Sequence, residues 1–385
     1  MKKKMILCTL FLFLCMITIN SISAANVTVN PGSSIQNAVN KANSGDTIIV
    51  NDNNKNAYTY QESITVNKKL NIVANGSVTI KAKNSNSAVF NIDPSAAGSS
   101  IKNFKLTDSN YCIMVNRANS CTISGNTISS TSLVGIQFYG DIQKSYILYN
   151  KISGVSPQYG NGISFEYGKS TYNAITGNTI TNFLNGILFN DYSAYNTVKG
   201  NNVQCQGLHG AGIYFTDKSK HNNIFYNKVS GAEDGIAIQK MGNGMASYFN
   251  IKGNTVVKNK NGFWIRLTRS LITYNTAKQN KVSGLDITGS YNKIMHNTAT
   301  YNGICGISIG RYSSKDHNIV QFNVLCNNKA GINSASNYTT ISHNSVQHNT
   351  TNGIISTANH VTIKSNSVNY TARKILVQGS ANTVK

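Results

Sequence analysis

Acid is scarce in this chain: of 385 residues only 13 are aspartate or glutamate, against 35 lysine or arginine, and the formal net charge is +22. So cationic a surface argues against basic partners. It favours anionic ones: acidic polysaccharide, wall polymer, lipid headgroups or nucleic acid. Nucleic acid ranks last, because the basic residues are scattered singly, with no arginine-rich run and no nucleic-acid motif. Tryptophan occurs once, at Trp264. Beyond residue 25 the cysteines are Cys112, Cys121, Cys205, Cys305 and Cys326, an odd number without a CxxC or a Cys/His spacing. That pattern gives no zinc site and reads as buried free thiols. The histidines are dispersed and no methionines cluster, so a copper-type site has no support. After the first twenty residues no segment is apolar enough to span a bilayer.

The start of the chain reads as an export signal over 1–25. Lys2, Lys3 and Lys4 form a basic start, Ile6 to Ile19 an apolar run, and Ser23-Ala24-Ala25 a small-residue cleavage site. Cys15 follows Leu14 rather than a small residue, which argues against a lipid anchor. Removing three lysines with the signal takes the charge from +22 to +19. The expectation is a secreted, surface-associated protein.

What is abundant is asparagine, and it is periodic. Ile123-Ser124-Gly125-Asn126-Thr127-Ile128 recurs as Ile175-Thr176-Gly177-Asn178-Thr179-Ile180 and as Ile251-Lys252-Gly253-Asn254-Thr255-Val256. The aligned asparagines run from Asn126 to Asn366, 21 to 28 residues apart. Each copy has a second half, Gly-Ile-x-apolar, at Gly162, Gly186, Gly212 and onward. A period of this length with short alternating runs is a solenoid signature, and the leucine pattern of leucine-rich repeats is missing. The spacing predicts an all-β, single-stranded parallel β-helix of about a dozen coils over 93–385. Asparagine suits its bends by tolerating the left-handed conformation, and stacked amides can hydrogen-bond up a column. Glycine suits positions where backbone passes close to backbone.

Residues 26–92 read as an N-terminal cap and first coils. Apolar residues at 35, 38, 39 and 42 predict a short amphipathic helix with Ser33 or Ser34 as N-cap, placed over the open end of the core. From Ile35 through Gly45-Asp46-Thr47-Ile48-Ile49-Val50, Tyr60-x-Glu62 and Lys69-x-Asn71-Ile72, the chain resembles the opening of right-handed parallel β-helix proteins of the pectin-lyase-like superfamily. Its repeats resemble the generic β-helix repeats of NosD-type domains and of adhesin-like surface proteins of methanogenic archaea. The resemblance implies the fold. It leaves function open, because that superfamily holds polysaccharide lyases, hydrolases, epimerases and non-enzymes.

Candidate site residues are those outside the repeat consensus. The distance from Gly to the next aligned Asn has a floor of 13 at Gly262, Gly284, Gly331 and Gly353, and grows to 19 at Gly235. The extra residues follow one strand and so build one flank, the usual place for a binding wall in a solenoid. Four or five residues past successive glycines lie Glu166, Asp191 and Asp217, with Lys240, Arg266 and Arg269 continuing the stripe. Tyr214, Trp264 and Asp286 occupy outward positions of the same strands. Carboxylates on neighbouring coils can divide acid and base roles or hold Ca²⁺, and outward aromatic rings can stack on sugars. The expectation is an adhesin-like protein that binds glycans or anionic wall polymers between 139 and 311. The alternatives are an enzyme acting on acidic polysaccharide through Glu166, Asp191 and Asp217, and a structural stalk without a site. No cofactor is expected beyond Ca²⁺ at those three acids.

Overall fold

The computed structural model describes residues 24–385 apart from 208, 217, 240–244 and 311–315. The export segment, except its last two residues, lies outside the described residues, as do Asp217 and Lys240. Among the described residues no helix is long and apolar enough to cross a membrane.

The chain winds as a parallel β-helix, and one coil shows the plan. Ser193–Ala194 forms a short face D, Thr197–Lys199 lies on face A, Asn202–Gln204 on face B and Ala211–Thr216 on face C. Strands pair in parallel with their counterparts one coil on: Thr197 with Asn223, Asn202 with Lys228, Ala211 with Asp234. Faces B and C are continuous at one place, the long strand Thr127–Tyr139. Face A holds 16 strands, or about 15 turns, where the repeat count predicts about a dozen. The additional coils lie in the N-terminal part. There Ile48, Ile72 and Ile101 stack in register without the Asn and Gly signature on which the count relies. At ~4.8 Å per strand the rod is roughly 70 Å long.

Alternation fixes what faces inward. In Thr197–Lys199 only Val198 is buried, and it sits on Ile175 and under Ile224. On face C the rings of Phe138, Phe165, Phe189 and Phe215 stack at 4.5, 4.6 and 4.4 Å, nearly parallel. Each fully buried side chain of this size contributes about 1.5–3 kcal/mol, so a single column supports its whole face. The glycine before each inward isoleucine serves stacking. A Cβ on Gly235 would lie 2.5 Å from the carbonyl oxygen of Gly262 in the next coil.

The asparagine column forms the expected ladder. Asn201 Nδ2 donates to Asn227 Oδ1 at 3.0 Å, and Asn227 Nδ2 to Asn254 Oδ1 at 2.9 Å. Two further ladders line the other corners, Asn173–Asn196–Asn222 and Asn259–Asn280–Asn302–Asn328–Asn349. One expectation is corrected: the left-handed residue is the one before each ladder asparagine, as at Tyr149, Tyr226, Tyr274 and His296. The asparagine keeps ordinary backbone because its amide must point inward, toward the neighbouring amides. The displaced rings stack instead, as in Tyr195–His221–Tyr248 at 5.0 and 4.7 Å.

The cap is a helix, α1 (Ile35–Lys41), with Ser34 as N-cap and with Ile35 and Val39 buried. Glu62 completes it. Its carboxylate accepts from Ile35 N at 2.8 Å and from Gln36 N at 3.0 Å, satisfying the orphan donors of the first turn. All five described cysteines are free, four of them buried.

Candidate functional site

Face C carries the departures from the repeat. Its outward side chains fall into columns, because each strand is in register with the next. One column runs Leu188, Tyr214, Ala237, Trp264, Asp286, Ser308, one residue per coil. A second, two residues on, includes Thr216, Gln239, Arg266 and Thr288. These outward residues are largely covered: Asp286 is 8% exposed, Thr288 6% and Ser308 6%. Face C is therefore a close-packed floor, with the inserted segments at either end of its strands.

Walls rise on both sides. Beyond the C-terminal ends of the strands, the insertions expected from the sequence fold into face D, with Ser170 paired to Ser193 and Ile142 to Ser170. The other wall was not expected. From Asn150 to Gly162 there are 12 positions and from Asn201 to Gly212 there are 11, against 8 from Asn178 to Gly186. The additional residues meet in a hollow of about 500 Å³ lined by Pro157, Tyr159, Leu184, Gln206 and His209.

The expected residues divide between floor and wall. Tyr214, Trp264, Arg266 and Asp286 share the floor. Arg266 Cζ lies 5.4 Å from the centre of the Trp264 ring, a geometry that holds both side chains in place. Arg269 leaves the stripe: it takes a left-handed turn and packs on Tyr291 at 5.5 Å, beyond the strand end. Glu166 and Asp191 are not equivalent. Glu166 ends its strand in register with Tyr139, whereas Asp191 lies past the strand and accepts a 2.7 Å hydrogen bond from Tyr167 N. Asp141, two coils earlier, accepts from Lys169 N at 2.7 Å, so both acids hold the segment of the coil between them. Asp141, Tyr167, Lys169, Asp191, Tyr192 and Lys218 line a wall cleft of about 510 Å³. Among the described residues no group of three His, Cys, Asp or Glu side chains could hold a metal ion.

The sequence reading missed Asp234. It is 3% exposed at the start of a face C strand, accepting from Asn261 Nδ2 at 2.8 Å and from Gln239 Nε2 at 3.2 Å. Burial, then the charge of neighbouring Glu233, outweigh those bonds and push its carboxyl up to about 6. Glu233 is held by Lys260 at 2.8 Å and approached by His209 at 3.6 Å. A signal was available: where other coils carry valine, asparagine, alanine, serine or cysteine before the repeat glycine, this coil carries an acid.

The geometry agrees with what the chain is similar to. The family model described as "Right handed beta helix region" matches residues 87–245. Among proteins of curated function none matches the sequence. Three solved structures share the fold. A variant of the periplasmic alginate epimerase AlgG has TM-score 0.51 and 15% identity, over 93% of this chain and 83% of its own. The receptor-binding domain of the Siphovirus 9NA tailspike has TM-score 0.58 and 11% identity, over 92% and 76%. The catalytic domain of a GH87 α-1,3-glucanase, in complex with tetrasaccharides, has TM-score 0.54 and 16% identity, over 96% and 69%. At these identities the likeness establishes a right-handed parallel β-helix.

Proposed function

We propose that this right-handed parallel β-helix is an exported, surface-associated protein that holds a polysaccharide chain in the face C groove. One observation carries the reading. The sole tryptophan and a tyrosine face outward in a single register column with Asp286, in a groove walled on both sides, with Arg266 against the tryptophan. An aromatic ring offers a sugar its flat apolar face, while charged neighbours accept or donate to hydroxyls and carboxylates. Glu166 and Asp191, at the strand end and just past it, are further ligand contacts. That the similar folds include an alginate epimerase, a glucanase catalytic domain and a tailspike receptor-binding domain adds support of the same kind. The test is titration of the protein with neutral and uronate oligosaccharides, repeated with Trp264→Ala. At least a tenfold loss of affinity is expected, from loss of a stacking platform worth roughly 1.5 kcal/mol. Unchanged binding removes the groove from the reading, and no binding by either form leaves a structural stalk.

Asp234 favours a second reading, in which the groove is catalytic. A carboxyl pushed up to about 6 stays protonated well above the usual carboxylate range, as a general acid requires. Asp286 lies two coils on and three residues further along its strand, ~14 Å away and beyond the span of a paired acid and base, so this reading rests on Asp234 alone. A hydrolysis screen on polysaccharides decides between the readings. Turnover that falls as pH rises through about 6, and vanishes in Asp234→Asn, makes the protein an enzyme; binding without turnover leaves it a binder.

A further inference from the structure

Negative charge is confined to one side of the rod over most of its length. From Thr122 to the end, the strands of faces A and B and the corner between them contain no aspartate or glutamate. The described acids of this stretch, Asp141, Glu166, Asp191, Glu233, Asp234, Asp286 and Asp316, all lie on face C or in the segments beside it. Lysine is not confined in this way: Lys169, Lys218, Lys260, Lys281, Lys329 and Lys374 lie on face C or beside it, but on faces A and B lysine has no acid for company. Lys151, Lys199, Lys228, Lys252, Lys258 and Lys278 follow one another up faces A and B and their corners. The face B strands from Lys151 to Thr276 span five coil steps, about 24 Å of axis. The described ion pairs are Lys81–Asp108, His209–Glu233 and Lys260–Glu233, so none of these six lysines is neutralised by a carboxylate.

We propose that this acid-free stripe is a docking surface for a linear acidic polysaccharide, separate from the groove. Charge complementarity selects an anionic polymer, since a run of lysines with no interspersed acid raises the local concentration of polyanion and repels cations. One feature favours a carboxylated glycan over phosphate polymers and nucleic acid: apolar ring faces suited to sugars stand beside the lysines. Exposed rings lie among them: Tyr226 is 53% and Tyr274 56% exposed, and Lys252 Nζ sits 5.5 Å from the Tyr274 ring. The stripe holds six of the 35 basic residues, and what distinguishes it is the absence of acid rather than the number of cations. The face C side mixes both signs, so the two surfaces differ in what they select.

The experiment measures binding of the full chain to polygalacturonate and to its fully methyl-esterified form, at low and high salt. One variant carries Lys→Gln at 151, 199, 228, 252, 258 and 278. A control of equal net charge carries Lys→Gln at 41, 55, 83, 281, 329 and 374. All twelve positions are at the surface, and thermal melting checks that both variants fold. The stripe variant is expected to lose at least tenfold in affinity for polygalacturonate and most of its salt dependence, the control less than threefold. Equal losses in the two variants would reduce the effect to net charge and overturn the proposal. So would equal binding of the methyl ester, or tighter binding of duplex DNA or of phosphatidylserine vesicles.

Discussion

Replacing Asn227 by alanine should cost more stability than almost any other single polar truncation in the chain. Its side chain is fully buried and makes four hydrogen bonds. Nδ2 donates to Val198 O at 2.9 Å and to Asn254 Oδ1 at 2.9 Å, and Oδ1 accepts from Asn201 N at 2.9 Å and Asn201 Nδ2 at 3.0 Å. Truncation strands the Asn201 amide and the Val198 carbonyl where water cannot reach them. Each stranded group costs roughly 1–3 kcal/mol, so a loss of about 3–5 kcal/mol is expected. Asn366→Ala is the comparison. Asn366 ends the ladder half-buried, still accepting from Asn344 N at 2.9 Å, but solvent can replace what truncation removes. There the cost should be near 1 kcal/mol. Urea unfolding followed by circular dichroism measures both, with an unchanged slope as the condition for reading midpoints as stability. Hydrogen exchange should localise the effect to the coils of Asn201 and Asn227, since a solenoid's stability is a sum over neighbouring coils. Equal costs for the two variants, or a loss below about 1 kcal/mol at Asn227, would refute the claim that the ladder supports the corner.

Gly235→Ala should destabilise by more than about 2 kcal/mol, because its Cβ would press on the Gly262 carbonyl. Gly200→Ala, with open space around a left-handed backbone, should lose only about 1 kcal/mol in the same thermal melts. Asp234 has a folded-state carboxyl near 6, above its unfolded value of 3.8, so it destabilises the fold above pH 6 and the penalty lifts as pH falls through 6 toward 4. Asp234→Asn should therefore be more stable than the parent at pH 7.5, by at most about 3 kcal/mol, with the advantage gone at pH 4. Thiol labelling of native protein should reach Cys326 first among the described cysteines. Burial excludes reagent from Cys112, Cys121, Cys205 and Cys305 and raises their thiols to about 12, 11, 12 and 12.

Much of the fold was legible because each coil repeats the same physical demands. The column from Asn126 to Asn366, the inward isoleucines and α1 all follow from spacing. The two further ladders were equally legible, five residues before the main column at Asn173, Asn196 and Asn222 and five after it from Asn259 to Asn349, but only the central asparagine was aligned. The candidate site was less legible. Trp264 and Asp286 could be placed outward by counting two residues past a glycine. The offset between Glu166 and Asp191 could not, because it depends on where one strand ends. Asp234 departs from the repeat in the sequence, but its burial, on which its significance rests, is not reported by any local pattern.

The sequence by itself determined the repeat, the inward faces, the corner asparagines and an excess of positive charge. Those are local or periodic properties, identical from coil to coil, and hydrophobic burial with backbone hydrogen bonding reads them the same way each time. The tertiary structure alone decided which side of the rod each charge occupies, how far a carboxylate is withdrawn from water, and which departures from the repeat meet across coils. Those depend on stacking, which brings residues more than twenty positions apart to within about 5 Å of each other.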